Sequence, residues 1–127
     1  MDHQPLINIG VRALEIIREP EHWTTKVYAR DAGGIECPPI DPDACTWCAL
    51  GAIHRAAREL YGANDETWES ADSVTAFLAG LIDEDSPASH DETVANFNDD
   101  EGHAAVIALF ASALEQMRAC TGGAHVS

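Results

Sequence analysis

The architecture of the chain follows from one stretch of sequence, Asp41-Pro42-Asp43-Ala44-Cys45-Thr46-Trp47-Cys48-Ala49-Leu50-Gly51-Ala52-Ile53. Asp41 is a favourable helix N-cap, and Pro42 suits the first helical position because its missing N–H needs no partner there. The stretch predicts a helix from Asp41 to about Tyr61, ended by the glycine that follows. One face of this helix carries mostly small side chains, so we expect another helix to pack closely against it.

Before this stretch, the sequence predicts a helix followed by a short β arm. Pro5 to Glu19 places leucine, isoleucine and alanine at helical spacing, and Pro20 ends the pattern. His22 to Arg30 is rich in strand formers and leads into a turn with two glycines. Ile35 to Ile40 can supply a return strand, although its two prolines limit the pairing. We expect a small hairpin or a single arm rather than a full sheet.

After the stretch, the sequence predicts three further helices. A polar connection that carries Trp68 leads into a helix with apolar residues from Ala71 to Leu81. Ser89 opens a short helix with a capping-box pattern. Residues 98–102 are expected to cap the last helix, Ala104 to Met117. This helix is apolar almost all round, so we expect it to be central and buried.

These elements predict a mainly α fold, a compact bundle of four to five helices with a short β arm or hairpin between helices 1 and 2. A chain of 127 residues is the size of one domain. We expect residues 1–127 to form a single domain with its core at about 6–117 and a loose tail at 121–127.

The sequence has no sign of a membrane segment. It contains no run of 18 apolar residues, and its first residues lack a basic region followed by an apolar one. We therefore expect a cytoplasmic protein that does not associate with membranes. The four cysteines are too few for a disulfide scaffold and are expected to be reduced.

The charge of the chain is strongly negative. It has 22 Asp and Glu residues against 7 Lys and Arg residues, a formal net charge of −15. Between Arg58 and Arg118 there are 14 acids and no Lys or Arg. Such a surface repels nucleic acids and anionic lipids, so we expect no direct binding to either. General solubility or adaptation to salt is the plain explanation of this acidity, and attraction of a basic protein is the functional one.

The functional explanation predicts a partner-binding surface within the second half of the chain. Six of the seven Lys and Arg residues lie in the first half, so head-to-tail self-association into a homo-oligomer is an alternative. We call the predicted partner-binding residues the acidic surface. It comprises Asp65, Glu66, Glu69, Asp72, Asp83, Glu84, Asp85, Asp91, Glu92, Asp99, Asp100 and Glu101.

The cysteines form a Cys-x-x-Cys pattern at Cys45 and Cys48, near a predicted helix start. Such a position lowers a thiol pKa in thioredoxin-like enzymes, but there a buried strand leads into the motif. A zinc site would add Cys37 and His54, yet the spacing lacks the second close pair that marks zinc sites. The pattern favours two small buried side chains, and we predict neither a bound metal nor a cofactor.

A second polar cluster comprises Asn98, Asp99, Asp100 and His103. A carboxylate can orient a histidine as a general base or hold a divalent cation, but capping of the last helix is the simpler interpretation. The chain has no glycine-rich phosphate loop and no nucleophile motif. We assign no catalytic residues, and the sequence favours a protein that is not an enzyme.

The run Trp47-Cys48-Ala49-Leu50-Gly51-Ala52-Ile53 resembles a family of small bacterial and phage proteins that is known only as a domain of unknown function. The opening helix, the arm from Trp23 to Gly34, and Phe97-Asn98-Asp99 also fit this family, over about residues 6–117. The resemblance implies no reaction, cofactor or partner. It implies that Trp47, Cys48, Asn98 and Asp99 meet, with Asn98 and Asp99 fixing the arm or a small ligand.

Three functions are compatible with these features. The first is a non-enzymatic acidic binding protein, of the phage-encoded kind, that docks on a basic nucleic-acid-binding protein as an inhibitor or decoy. The second is a small-molecule-binding or enzymatic domain, and the third is a redox or zinc protein that uses Cys45 and Cys48. Among the tryptophans, Trp23 and Trp68 are the candidates for a surface role. The predicted pocket of the second function is lined by Trp23, Trp47, Cys48, Asn98, Asp99 and His103.

Overall fold

The computed structural model describes the backbone of residues 4–126 and the side chains of residues 4–119. The described chain is mainly α, with five α-helices and one two-stranded sheet, which confirms the predicted fold class. A short 3-10 turn follows the first helix at Pro20–His22. The other elements are α1 (Gln4–Ile17), β1 (Ala29–Asp31), β2 (Ala44–Trp47), α2 (Ala49–Tyr61), α3 (Asp65–Asp83), α4 (His90–Glu101) and α5 (His103–Val126).

The β arm lies between α1 and α2, as the sequence predicts, but its second strand lies elsewhere. β1 and β2 pair antiparallel, with Ala29 opposite Trp47 and Arg30 opposite Thr46. The prediction of a return strand at Ile35–Ile40 was wrong. That segment contributes one isolated bridge, from Glu36 to Arg30, because its prolines cannot donate to a ladder.

The second helix begins seven residues later than predicted, at Ala49 rather than Pro42. Cys48 is its N-cap, and the Cys48 Sγ atom accepts a hydrogen bond from the Gly51 N–H at 3.3 Å. Asp41 closes a turn instead, because its carboxylate accepts from the Asp43 N–H at 2.8 Å and its carbonyl accepts from Ala44. The backbone of residues 44–47 pairs with β1, and this long-range pairing overrides the local helix-start signal.

The later helices partly follow the prediction. Ser89 caps α4 through a hydrogen bond from the Glu92 N–H, as predicted. Trp68 lies inside α3 rather than in a connection, because Asn64 caps that helix. Residues 98–101 form the last turn of α4 and therefore do not cap α5, contrary to the prediction. The chain leaves α4 at Gly102, whose φ of 93° lies in the left-handed region that glycine tolerates.

The core is built between the helices, and α2 rather than α5 supplies its most enclosed face. Ala49, Ala52, Ile53 and Ala56 have no exposed surface, and α2 packs against α1, α3 and α4. The prediction of a central α5 was wrong, because its outer side is exposed and carries only alanine and polar or charged residues over the described side chains, which tolerate water better than larger apolar residues do. The side chains of the predicted loose tail, 121–127, lie outside the described residues.

The arm approaches α2 so closely that only glycine fits at Gly51. A Cβ atom at this position would overlap the backbone carbonyl oxygen of Tyr28. The Tyr28 carbonyl also accepts a hydrogen bond from the Cys48 N–H at 3.1 Å. The first turn of α2 therefore holds the arm by contact and by hydrogen bonding.

None of the helices over residues 4–126 combines the length and the apolar character that crossing a bilayer requires.

Replacement of Gly51 by alanine is expected to lower the free energy of unfolding by roughly 2–3 kcal/mol, because the arm backbone must move away from α2. Gly80 is the matched control. It lies in α3 with nothing within 4 Å of an added Cβ, so Gly80→Ala should raise stability by about 0.5–1 kcal/mol. Urea denaturation followed by circular dichroism measures both. Equal effects of the two substitutions would contradict the close approach.

Candidate functional site

The amide side chain of Asn98 joins the arm to α2 and α4. Its Oδ1 atom accepts hydrogen bonds from the Trp23 indole N–H at 2.8 Å and from the Ala49 backbone N–H at 2.9 Å. Its Nδ2 atom donates to the Thr24 carbonyl at 3.1 Å. Asn98 is only 1 % exposed, so these bonds lie in a medium where an unsatisfied polar atom is costly. Asn98 therefore fixes the arm.

Asp99 supports the same part of the arm from the next position of α4. Its Oδ1 atom accepts from the Lys26 backbone N–H at 2.9 Å and from the Asn98 amide at 3.2 Å. Lys26 has a φ of 73°, a left-handed conformation that is rare for a residue with a side chain. The hydrogen bond to Asp99 offsets part of the strain at Lys26.

The cavity between the arm and α4 is small. Its volume is about 60 Å³, whereas pockets that bind small molecules measure about 300–1,000 Å³. Cys48, Asn98 and Asp99 are among its lining residues. A space of this size holds one or two water molecules rather than a substrate.

The Trp23 ring, whose N–H donates to Asn98, also contacts the His103 ring. Their ring centroids lie 5.6 Å apart in an edge-to-face arrangement. The His103 Nε2 atom lies 2.7 Å from the Ile17 carbonyl oxygen, so this nitrogen carries the proton and donates to the end of α1. His103 is thereby used to hold α1 beside α5, and its ring is not free to act as a base through Nε2.

Trp47 faces a different space from the other predicted pocket residues. Its indole N–H donates to the Pro39 carbonyl at 3.0 Å, and the Arg55 guanidinium lies 5.5 Å from the ring centroid. The surrounding cleft measures about 430 Å³ and also contains Arg12 and Glu59. The six predicted pocket residues are thus divided between an arm joint, made by Trp23, Cys48, Asn98, Asp99 and His103, and a separate cleft at Trp47.

The arginine and glutamate side chains in the cleft at Trp47 pair with one another. Glu59 accepts hydrogen bonds from Arg12 at 2.9 Å and from Arg55 at 3.0 Å. Burial raises the pKa of Glu59, but the two arginines outweigh it and hold that pKa below its ordinary value. The charged side chains of the cleft therefore form an ion-pair network among themselves.

The two cysteines of the Cys-x-x-Cys pattern lie in different environments. Cys45 is exposed in β2, whereas Cys48 is buried at the start of α2. Burial raises the pKa of the Cys48 thiol despite its backbone hydrogen bonds, which opposes formation of a thiolate. Over residues 4–119, no group of three or more His, Cys, Asp or Glu side chains is placed to hold a metal ion.

Sequence reasoning missed a row of three aromatic rings, which we name the aromatic strip: Tyr28, His54 and Trp68. The Tyr28 and His54 rings stack at 6.0 Å, and the His54 and Trp68 rings lie 5.8 Å apart. Burial lowers the pKa of His54, with opposing contributions from Asp91 and Asp72. The side of α2 on which His54 lies could have been deduced from helical spacing, but only with the start of α2 placed correctly at Cys48.

The acidic surface lies on α3 and α4 and the turn between them. Each of its twelve carboxylate residues is exposed. Among the described residues, the ion pairs involve Arg12, Glu15, Arg55 and Glu59 on α1 and α2, and none involves the acidic surface. Its charges are therefore not neutralised within the described part of the chain.

The sequence matches the model of one protein family, "Family of unknown function (DUF6197)", over residues 1–116. The match covers most of the chain, so the chain belongs to this family, which confirms the resemblance to a domain of unknown function. No curated protein and no solved structure matches the chain. A bacterial or phage origin stays a prediction.

Asn98→Ala is expected to lower the free energy of unfolding by about 3 kcal/mol, because it leaves buried donors on Trp23 and Ala49 without a partner. Asn96→Ala, at an exposed position of the same helix, is the control and should change stability by less than about 0.5 kcal/mol. Urea denaturation measures both, and a loss for Asn98→Ala as small as the control's would show that the joint is not structural.

His54 makes stability depend on pH. Its folded-state pKa lies below the ordinary value of 6.5, so the unfolded chain binds more protons as the pH falls through this region. The stability associated with neutral His54 is present above pH 6.5 and is lost as the pH falls through the folded-state pKa. His54→Phe keeps a ring in the strip and should flatten this part of the profile. Unfolding free energies across the acidic range test it, and an unchanged slope would contradict the assignment.

Proposed function

We propose that this member of the DUF6197 family is a non-enzymatic binding protein whose acidic surface docks on the basic, nucleic-acid-binding surface of a protein partner. Occupied in this way, the partner cannot bind nucleic acid, so the protein acts as an inhibitory decoy. The observation that carries the proposal is that all twelve residues of the acidic surface are exposed, and none is ion-paired within the described residues.

Local sequence supports this proposal. No Lys or Arg occurs between Arg58 and Arg118, so neither α3 nor α4 supplies a cation from its own surface. Repulsion among closely spaced carboxylates destabilises the isolated protein, and a basic partner would remove that repulsion on binding. Elsewhere the chain does pair its charges, as Glu59 does with Arg12 and Arg55.

The ends of α3 and α4 support it further. The carbonyl end of a helix favours cations, yet α3 ends at Asp83 and is followed by two more acids, and α4 ends with three acids. Each group therefore carries an electrostatic cost in the free protein. A lysine or arginine side chain from a partner would interact favourably with both the carboxylates and the negative end of the helix dipole. These two helix ends are therefore favourable contact points.

A nucleic-acid-binding partner suits this surface better than an arbitrary basic patch. Proteins that bind nucleic acid present arrays of Lys and Arg to regularly spaced phosphates. An array of exposed carboxylates offers the same sign of charge to the same side chains. Such a complex forms quickly at low ionic strength and weakens as salt screens the charges.

The first test is a pull-down from host lysate with three baits under four conditions: the unchanged protein at low salt and at high salt, and two quadruple variants at low salt. One variant, Glu66→Gln, Glu69→Gln, Glu92→Gln and Glu101→Gln, removes four charges from the acidic surface. The control variant, Glu19→Gln, Glu21→Gln, Glu36→Gln and Glu115→Gln, removes four exposed charges elsewhere. We expect the unchanged protein and the control to capture the same basic protein, and the first variant to lose most of it.

The decoy activity needs a second measurement on the captured protein. Duplex DNA or RNA added to the complex should displace this protein, because both ligands would use one surface. Capture that survives high salt, or is lost equally in both variants, would contradict docking through the acidic surface. Capture that nucleic acid does not displace would contradict the decoy mechanism.

A further inference from the structure

The aromatic strip lies outside the hydrophobic core. Its rings come from three elements: the arm, α2 and α3. Tyr28 is 42 % exposed. Trp68 is half-buried, and its ring contacts that of His54. Trp23 and Trp47, by contrast, are among the side chains that pack against the core, and Trp68 is not. The strip therefore adds little to core packing.

The polar tips of the strip differ from those of the other aromatic residues. The indole N–H groups of Trp23 and Trp47 are both used in hydrogen bonds to the protein. Within the part of the chain that the structure describes, neither the Trp68 indole N–H nor the Tyr28 hydroxyl has such a bond. Both groups are thus available to a partner.

Two carboxylates, one on α3 and one on α4, act electrostatically on the strip. Asp72 on α3 and Asp91 on α4 both act electrostatically on His54, and Asp91 also acts on Tyr28. Both carboxylates are exposed and belong to the acidic surface. His54 itself is kept neutral at pH 7 by burial, so the middle ring of the strip does not repel a cation.

The strip is not filled by a cation of the described chain. The guanidinium that lies over an aromatic ring there is that of Arg55, and its ring is Trp47 rather than a member of the strip. Tyr28 and Trp68 therefore present ring surface beside carboxylates, the combination that binds a planar, weakly hydrated cation.

We propose that the aromatic strip, together with Asp72 and Asp91, is the anchor site for an arginine side chain of the basic partner. The arginine side chain lies along the strip and contacts the Tyr28 and Trp68 rings on either side of His54, while the two carboxylates accept the guanidinium N–H groups. Lysine, a compact and strongly hydrated cation, gains less from the rings. This anchor rests on the proposed function, because it gives the acidic surface a point of specificity that charge alone does not supply.

Titration with octa-arginine and octa-lysine peptides tests the anchor directly. The two peptides have the same number of charges, so any difference in affinity reports the side-chain type. At low salt we expect the unchanged protein to bind octa-arginine about three- to tenfold more tightly than octa-lysine. Trp68→Leu should reduce the affinity for octa-arginine to that for octa-lysine and leave octa-lysine binding unchanged. Isothermal titration calorimetry provides both dissociation constants, and the Trp68 indole resonance should shift with octa-arginine.

Two further variants separate the anchor from general charge. Asp72→Asn with Asp91→Asn should weaken octa-arginine binding more than Asp100→Asn with Glu101→Gln, although each pair removes two charges from the acidic surface. Tyr28→Leu is the second ring variant, and it replaces Trp68→Leu in the comparison if thermal unfolding shows that the latter does not fold. Equal losses in the two charge pairs would overturn the anchor.

The outcomes distinguish this proposal from the one on which it rests. If the unchanged protein binds both peptides equally and with salt dependence, the anchor is wrong and docking through the acidic surface is retained. A preference for arginine that persists in the ring variants would also overturn the anchor. If neither peptide binds at low salt, the acidic surface does not recognise basic chains, and both proposals fail.

Discussion

The arrangement of the molecule depends on one buried amide. Asn98 accepts hydrogen bonds from the arm and from the first turn of α2, and it donates to the arm backbone. A helix start leaves N–H groups without partners, and here α4 supplies the acceptor for one of them. The amide therefore satisfies an unavoidable requirement of α2 while it fixes an arm that has little secondary structure of its own.

Shape and hydrogen bonding reinforce each other at this joint. The absent side chain of Gly51 lets the Tyr28 backbone reach α2, and the Cys48 N–H then donates to the Tyr28 carbonyl. The same approach places the Tyr28 ring on His54. A requirement of folding thus builds the aromatic strip at the edge of the acidic surface. Under the proposed function, the contacts that hold the arm against α2 also create the partner's anchor site.

The two halves of the helical bundle treat their charged side chains differently. On α1 and α2 the charges form pairs, and Glu59 holds both Arg12 and Arg55. On α3 and α4 the carboxylates are exposed and outnumber any local cation, even at helix ends where negative charge is unfavourable. The electrostatic cost of each exposed carboxylate is a few tenths of a kcal/mol, which is small beside the free energy gained by burying the apolar side chains of the core. The fold therefore remains stable despite the unpaired charges.

Local signals in the sequence were reliable where local interactions decide. Ser89 caps α4 because its hydroxyl needs only an N–H three residues away. The predicted helix start at Asp41 was wrong because residues 44–47 pair with β1. A short stretch of sequence does not reveal such a long-range pairing. Trp68 was predicted to lie in a connection because the first turns of α3 are mostly polar and do not show an apolar helical pattern. The helix nevertheless begins there, because Asn64, four residues before Trp68, caps it.

By itself, the sequence determined the helical class, the position of the β arm, the separation of charge and the family. These properties follow from composition, periodicity and short motifs. Only the tertiary structure decided that Asn98 joins Trp23 to Ala49, residues 75 and 49 positions away along the chain. It alone divided the predicted pocket at Trp47 and assembled Tyr28, His54 and Trp68. Such contacts depend on how separate elements pack, and no local pattern encodes that packing.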